Sequence, residues 1–138
     1  TTGTLASGVY HEAFGAAGLA PLVPDEGHQA RVMRAIYGEK GVKAGFTAGE
    51  CYDDLVSALR YLVDRGAQAV VLGCTELPLL LAQSPCFLIA GRQVVLVDPT
   101  DILARKCVAL GVQSPAEAPA RGSQALAVPI PDGHASPP

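Results

Sequence analysis

Apolar and polar positions along the chain follow two periods, and segments of each kind alternate. Apolar side chains recur at helical spacing over residues 5–17, over residues 26–37 and from Thr47 to Gly66. Asp25 is the predicted cap of the second helix, whose apolar positions include Tyr37. The predicted apolar side of the third helix consists of Leu55, Leu59, Leu62 and Val63. Unbroken runs rich in β-branched residues, as buried parallel strands have, cover residues 69–73 and residues 91–100. The pattern therefore predicts helices and strands in alternation.

The remaining segments are shorter or less regular. The pattern predicts a strand closed by proline over residues 19–25, a glycine-rich loop over 38–45, a short helix over 76–82 and a final helix over 98–111. Strands that alternate with helices indicate βαβ units, and so an α/β fold with a mostly parallel sheet and flanking helices. Residues 112–138 are rich in Pro, Ala, Ser and Gly and are predicted to be a disordered tail.

The composition narrows the class of protein. A chain of 138 residues, 49% hydrophobic and 17% charged, is expected to form one globular domain, here residues 1–111. The net charge is −3 and the Lys and Arg residues are scattered, which argues against nucleic-acid binding. No apolar run is long enough to span a membrane and no secretion signal is visible, so we expect a cytoplasmic protein whose four cysteines are free thiols.

The sequence GCTE at residues 73–76 carries the candidate chemistry. Ligands of α/β sheets bind beyond the carboxyl ends of the strands, where Cys74, Thr75 and Glu76 are expected to lie. Backbone N–H groups and the start of a following helix favour a thiolate at Cys74. Such a thiolate is a candidate nucleophile or general base, although a cysteine at a strand end is more commonly a small buried hydrophobe. The pattern places no histidine near Cys74, which favours proton transfer over nucleophilic catalysis.

Four motifs, in the same order along the chain, resemble the aspartate/glutamate racemase superfamily. They are TTGTLASGVYHEAF at the start, LVPDEGHQARVMRAIYGEKGVKAG after it, then GCTELPLL and finally VVLVDPTDILA. The resemblance covers about residues 1–111 and is to the second lobe of a two-lobe racemase fold. It implies cofactor-independent racemisation of aspartate or glutamate by two cysteines on opposite faces of the substrate α-carbon.

The resemblance also implies roles for individual residues. Cys74 matches the second catalytic cysteine of the family. Thr1 and Thr4 match the threonines that hold the substrate carboxylate, and Lys43 matches a lysine in a loop. Lys43 is then a charge partner of the substrate or of the thiolate, with a solvated loop lysine as the alternative.

Two residues beside Cys74 are further candidates for substrate binding. The Thr75 hydroxyl and neighbouring backbone N–H groups are placed to hold the substrate carboxylate. Glu76 either orients the substrate ammonium group or is a solvated carboxylate at a helix start. The cysteines and histidines lack zinc-binding spacing and the family chemistry uses no cofactor, so neither a metal nor a cofactor is expected.

The chain departs from the family pattern in one large respect. The first catalytic cysteine of the family belongs to an N-terminal lobe, and nothing in residues 1–138 matches that lobe. Cys51 has acidic neighbours that raise a thiol pKa, while Cys86, in a loop, and Cys107, in the last helix, are expected to be structural and buried. We therefore expect the N-terminal lobe to lie on a missing or separate segment, and this chain alone to have little racemase activity.

The partners and the substrate remain open at this stage. Family members commonly form dimers, and a core face left uncovered without the other lobe favours association, so we expect a homodimer. A hydantoin racemase or a maleate isomerase is an alternative within the superfamily, although GCTELP and the Lys43 loop favour an acidic amino acid. If the chain is not an enzyme, the alternative is a non-catalytic lobe that binds a small carboxylate or a partner protein.

Overall fold

The computed structural model describes residues 1–112 of the chain. Its helices and strands are α1 (Thr2–Ala6), α2 (Val9–Ala16), α3 (Glu26–Tyr37), α4 (Glu50–Asp64), β1 (Ala69–Val71), β2 (Ser84–Ile89), β3 (Arg92–Val97) and α5 (Pro99–Val112). Single 3₁₀ turns cover Val42–Ala44 and Leu77–Leu79. The α/β class is confirmed. Of the predicted tail only Val112 is described, and it ends α5, while residues 113–138 lie outside the described part of the chain.

Helices α3 and α4 form the larger helical unit. Asp25 caps α3 as predicted, because its carboxylate accepts a hydrogen bond from the His28 N–H at 2.8 Å. α4 begins at Glu50, slightly later than the predicted start near Thr47. The predicted apolar side of α4 is buried, and it consists of Leu55, Leu59, Leu62 and Val63.

Buried Asp54 connects these two helices. Its carboxylate accepts two hydrogen bonds of 2.6 Å from the Arg34 guanidinium and one of 3.3 Å from Arg31. The paired contact with Arg34 has the bidentate geometry that makes arginine–carboxylate bonds strong. The charge of Asp54, which is 5% exposed, is thereby compensated inside the helix pair.

The strands that the structure describes form one mixed sheet in the order β1-β3-β2. β1 runs parallel to β3, with Ala69 opposite Val95 and Val71 opposite Val97. β2 runs antiparallel to β3. The prediction of a mostly parallel sheet is therefore not confirmed, since one of the two pairings is antiparallel.

The antiparallel pairing depends on a strand and a turn that the sequence pattern does not reveal. Ile89 and Arg92 are paired residues, and the two residues between them, Ala90 and Gly91, both have positive φ, 49° and 72°. Two-residue hairpin loops need such angles, but alanine rarely adopts them, so the turn carries a weak sequence signal. The expected loop around Cys86 is consequently strand β2.

Three other segments differ from the prediction. Residues 19–25 form no strand; two prolines in this segment remove backbone donors that a sheet would use. The predicted helix over residues 5–17 is two helices, interrupted at Gly8, whose φ is 69°. The predicted helix over residues 76–82 is reduced to the 3₁₀ turn at Leu77–Leu79.

The hydrophobic core joins the sheet to the α3–α4 pair. Leu96 in β3 and Ile36 in α3 are both 0% exposed, and Leu72 reaches the same core from the end of β1. By contrast, α5 buries none of its side chains. Among the described helices, none combines the length and apolar character that crossing a membrane requires.

Candidate active site

Cys74 lies just beyond the carboxyl end of β1, at the edge where the sequence places it. The Leu72 N–H still donates to the Val97 carbonyl of β3 at 2.8 Å, whereas the Cys74 N–H turns back to the Leu72 carbonyl at 2.7 Å. Leu72 before this turn and Leu77 after it are both buried. The core therefore anchors both ends of the loop, and half-buried Cys74 is presented between them.

Glu76 is the centre of a polar cluster, which also contains Cys74, Thr75 and Lys43. The Cys74 Sγ donates to the Glu76 Oε2 at 2.6 Å, and the Thr75 Oγ1 donates to the same oxygen at 2.9 Å. The Lys43 Nζ lies 3.1 Å from the other oxygen, Oε1. Four of the residues that the sequence analysis selects are thus in direct contact, and we call them the Glu76 cluster.

Lys43 reaches the Glu76 cluster from a separate part of the chain. It belongs to the 3₁₀ turn Val42–Ala44, in which Val42 is buried and fixes the turn to the core. The Lys43 ammonium group lies 5.2 Å from the centre of the Tyr37 ring, a cation–π distance. Lys43 is therefore paired with Glu76, although its side chain is also open to solvent.

Thr1 and Thr4 approach the same loop from the other side, through Gly73. The Thr4 Oγ1 donates to the Gly73 carbonyl at 3.2 Å and lies 2.8 Å from the Thr1 Oγ1. A Cβ atom on Gly73 would lie 3.2 Å from the Tyr10 ring, so the absence of a side chain permits this close packing. The two threonines therefore lie beside the Cys74 loop. Their hydroxyl groups contact each other and, through Thr4, the Gly73 carbonyl rather than the Cys74 thiol.

Sequence reasoning missed two aromatic residues of this region, Tyr10 and Tyr37. Tyr10 packs on Gly73, and its pKa is raised, mainly by burial and also by Asp98. Tyr37 lies beneath Lys43. Tyr37 was assigned to the apolar side of α3, but it is 58% exposed, because it ends the helix beyond the core. Tyr37 contacts the site only because the 3₁₀ turn Val42–Ala44 brings Lys43 over its ring in the folded chain.

Hydrogen bonds and charges in the Glu76 cluster shift three pKa values. Bonds from Cys74, Thr75 and Lys43 lower the pKa of Glu76 from 4.5 to about 2. The pKa of Lys43 is raised, first by its hydrogen bond to Glu76 and then by the charge of that carboxylate. Burial, together with the hydrogen bond to Glu76, raises the pKa of the Cys74 thiol.

The prediction that the strand end favours a thiolate at Cys74 holds only for the backbone: the Glu76 N–H lowers the pKa of the thiol, but burial and the Glu76 carboxylate outweigh it, and the net shift is upward. The element that follows Cys74 is a three-residue 3₁₀ turn rather than a helix with an appreciable dipole. The nearest charge is instead the Glu76 carboxylate, which accepts the thiol proton in a hydrogen bond. Near neutral pH, the arrangement favours the thiol form.

Glu76 is expected to make the folded state sensitive to acid. Because its folded-state pKa of about 2 lies below the usual 4.5, its contribution to stability is complete above the unfolded-state pKa and is lost as the pH falls through the folded-state pKa. The measurement is the free energy of unfolding in urea, taken from neutral pH downwards, for the native chain and for Glu76→Gln. The advantage of the native chain should shrink between pH 4.5 and about 2; a difference that stays constant with pH would contradict this expectation.

The other cysteines have different surroundings. Cys51 is buried, and its thiol donates to the carbonyl oxygens of Ala48 and Phe46 at 3.3 and 3.6 Å. Cys86 and Cys107 are exposed, so the expectation that they are buried is wrong. β2 and α5 leave their outer faces uncovered by any described element. Within residues 1–112 none of these thiols takes part in the bonds of the Glu76 cluster, and no group of three potential metal ligands occurs.

An apolar groove of about 690 Å³ runs beside the candidate site. Its lining includes Thr1, Tyr10, Phe14, Leu59 and Leu72. It meets the loop at Gly73, whereas the four members of the Glu76 cluster do not line it. An apolar lining provides little to hold a charged substrate, so the polar cluster is the better candidate for the chemistry.

The site thus combines a cysteine, three threonine hydroxyl groups and a lysine–carboxylate pair at a strand end, and the sequence that forms it can be compared with known families. A family model described as Asp/Glu/Hydantoin racemase matches residues 1–107. The chain belongs to this racemase family. The predicted resemblance is thereby confirmed, and membership supports a racemase or isomerase activity in general.

A curated relative of this racemase-family chain carries less functional information. It is described as an uncharacterised protein in the pnlA 3′ region of Pectobacterium carotovorum subsp. carotovorum. The two proteins are 32% identical over 108 residues, which is 78% of this chain and 67% of the relative. The similarity supports the family assignment, while the description of the relative names no substrate.

Proposed function

We propose that this chain provides one side of the active site of a cofactor-independent racemase for an acidic amino acid, aspartate or glutamate. Cys74 is the proposed proton-transfer group on that side of the substrate α-carbon. The observation that carries the proposal is the Glu76 cluster, in which a half-buried thiol, a hydroxyl group, a carboxylate and a lysine meet at the carboxyl end of β1.

The chemistry of the α-proton explains why these groups suit the reaction. An amino-acid α-proton is very weakly acidic, so its removal needs a positioned acid/base group and donors that stabilise negative charge on the substrate. Cys74 is half-buried and its thiol proton is held in a hydrogen bond to Glu76, which supports its assignment as the acid/base group. The Thr1 and Thr4 hydroxyls beside Gly73 are the proposed donors to the substrate α-carboxylate.

Lys43 is the proposed partner of the second carboxylate of the substrate. An ammonium group has three donor hydrogens, and one of them is directed to the Glu76 Oε1. Lys43 is 48% exposed, so its remaining donors are accessible to a ligand. A substrate with a side-chain carboxylate gains a charge-assisted hydrogen bond there, which an uncharged hydantoin does not.

The proton-transfer group on the opposite face is proposed to come from outside the described residues. The Cys51 thiol is committed to two backbone carbonyls of its own segment, and Cys86 and Cys107 lie on β2 and α5. We propose an N-terminal lobe as its source, together with a homodimeric, cytoplasmic enzyme, on the strength of the family membership.

Exchange of the substrate α-proton with solvent tests the proposal. The protein, as its source organism makes it, is incubated in D₂O with aspartate, glutamate, a substituted hydantoin or maleate. NMR follows the loss of the Cα–H signal for the first three compounds, and for maleate it follows the conversion of the vinyl C–H signal into that of the trans isomer. Exchange and racemisation of aspartate or glutamate are expected. Turnover of the hydantoin or of maleate alone would assign the chain to another branch of the family. Carboxylate binding without exchange of any substrate would indicate a non-catalytic lobe.

Replacing Lys43 with methionine is expected to weaken the binding of acidic substrates. Hydrogen bonds to charged groups contribute enough that KM for aspartate or glutamate should rise by about tenfold to a hundredfold. The measurement is a full kinetic comparison with the native protein.

Lys40→Met is the matched control for this variant. Lys40 also pairs with a glutamate, Glu50, but both side chains are exposed and lie outside the Glu76 cluster. Its KM should remain at the native value. An equal rise in both variants would attribute the effect to net charge and would reject a specific role for Lys43.

A further inference from the structure

The two oxygens of the Glu76 carboxylate face different chemical groups. Oε1 faces the Lys43 ammonium group at 3.1 Å. Oε2 accepts two hydrogen bonds, one from the Cys74 thiol at 2.6 Å and one from the Thr75 hydroxyl at 2.9 Å. Glu76 is 20% exposed, so water screens these contacts only in part. Lys43 therefore stabilises the ionised carboxylate at one oxygen while the other oxygen holds the thiol proton.

Loss of the proton from Cys74 would be unfavourable in this arrangement. The hydrogen bond from Sγ would disappear, and a thiolate would lie beside a carboxylate that Lys43 keeps ionised. Like charges at such a distance repel, and the repulsion disfavours the thiolate. The Thr75 hydroxyl donates to Glu76 and so does not solvate the sulfur.

We propose that Glu76 is a positioning residue that keeps Cys74 protonated, so that Cys74 enters the reaction as a thiol and supplies a proton. The first part of this inference stands on the contacts of Glu76 alone. The second part rests on the proposed racemase function. Glu76 then acts through Cys74 rather than on the substrate ammonium group.

The proton balance of the step follows from these states. A base on the opposite face of the substrate takes the α-proton, and the electron pair of the broken C–H bond stays on the substrate. The Cys74 S–H bond breaks as a new C–H bond forms on the near face, which inverts the α-carbon. Cys74 is left as a thiolate and the opposite group carries the abstracted proton, so Cys74 must regain a proton before another turnover in the same direction.

Other groups around Cys74 act in known directions. Burial and the Glu76 carboxylate raise the pKa of Cys74, whereas the backbone N–H of Glu76 and the N-terminal ammonium group lower it. The positive charge of Lys43 also favours the thiolate. Tyr10 packs against the adjacent Gly73, with Asp98 acting on Tyr10 in turn, and Tyr37 lies beneath Lys43. Replacing the Glu76 carboxylate with an isosteric amide leaves the residues around Cys74 in place and removes one negative charge, which also frees Lys43 from its ion pair. Both effects favour the thiolate, so they lower the pKa of Cys74 together.

The test measures the titration of the Cys74 thiol directly. The native chain and Glu76→Gln are alkylated with iodoacetamide over a range of pH, and modification of the peptide that contains Cys74 is quantified by mass spectrometry. Only the thiolate reacts, so the midpoint of the rate against pH reports the pKa, and the plateau at high pH reports access to the sulfur. For Glu76→Gln we expect a lower midpoint and alkylation near neutral pH at least about tenfold faster.

Two further variants make the result specific. Glu50→Gln removes a carboxylate that also pairs with a lysine but lies outside the cluster, and it should leave the Cys74 midpoint unchanged. Lys43→Met removes the positive charge and should move the midpoint upwards. The exposed Cys86 and Cys107 in the same digest serve as internal references for the reagent.

The outcomes separate this inference from the proposed function. An unchanged or raised midpoint in Glu76→Gln would overturn the role of Glu76, even if the native protein racemises aspartate or glutamate. A lowered midpoint, with no turnover of any substrate by the native protein, would retain the control of Cys74 by Glu76 and reject the racemase. A higher plateau with the same midpoint would indicate only a more open loop, and it would also overturn the inference.

Discussion

Racemisation of aspartate or glutamate should fall by about 10²- to 10⁴-fold when Cys74 is replaced with serine in the protein as its source organism makes it. The serine hydroxyl retains a donor for Glu76, so the loop should keep its structure. A hydroxyl is far less acidic than a thiol, however, and exchanges protons poorly with carbon. The measurement is Cα–H exchange in D₂O together with optical rotation of the product.

Cys86→Ser is the matched control for the Cys74 substitution. It makes the same atomic change at an exposed thiol of β2, away from the Glu76 cluster. This control should retain native activity. Undiminished exchange by Cys74→Ser would reject the proton-transfer role, and equal losses in both variants would point to a general effect of removing a thiol.

The second large effect is expected in stability rather than activity. Leu96 lies on the central strand β3, is 0% exposed and belongs to the core that joins the sheet to α3 and α4. Replacing it with alanine leaves a cavity and should lower the free energy of unfolding by about 2–5 kcal/mol. Because domains of this size are stable by only about 5–15 kcal/mol, urea unfolding should show the loss as a clearly lower midpoint.

Leu88→Ala tests whether burial is the cause. Leu88 lies on the adjacent strand β2, and its replacement is the same leucine-to-alanine change, but Leu88 is 68% exposed. Its substitution should alter the unfolding midpoint little. Similar losses for both variants would mean that Leu88 is covered in solution and that the face of β2 is part of an interface.

The elements with strong periodicity were predicted well because local patterns determine them. The apolar side of α4, the Asp25 cap of α3 and the two runs that became β1 and β3 all follow from spacing that residues a few positions apart impose. β2 was missed because it depends on an unusual alanine conformation at the turn and on pairing with β3. The prediction of a mostly parallel sheet was not confirmed for the same reason, because β2 is the antiparallel strand.

The candidate site was predicted in its members but not in its electrostatics. A strand-end rule and family motifs select Cys74, Thr75, Glu76 and Lys43, and the structure brings these four together. Which oxygen faces which donor depends on side-chain conformations that no sequence period encodes. That detail reverses the expected state of Cys74, because Glu76 lies nearer to the sulfur than any positive charge.

The mixed sheet also bears on the order in which the site assembles during folding. The β2–β3 hairpin joins strands that are adjacent in sequence, whereas β1 pairs with β3 across the whole β2 segment. Contacts between distant segments form later, because closing the longer loop costs more chain entropy. Cys74 follows β1 directly, so we expect its final placement to be a late step. A chain slow to dock β1 would then complete its β2–β3 hairpin before the loop that carries Cys74 reached its final position.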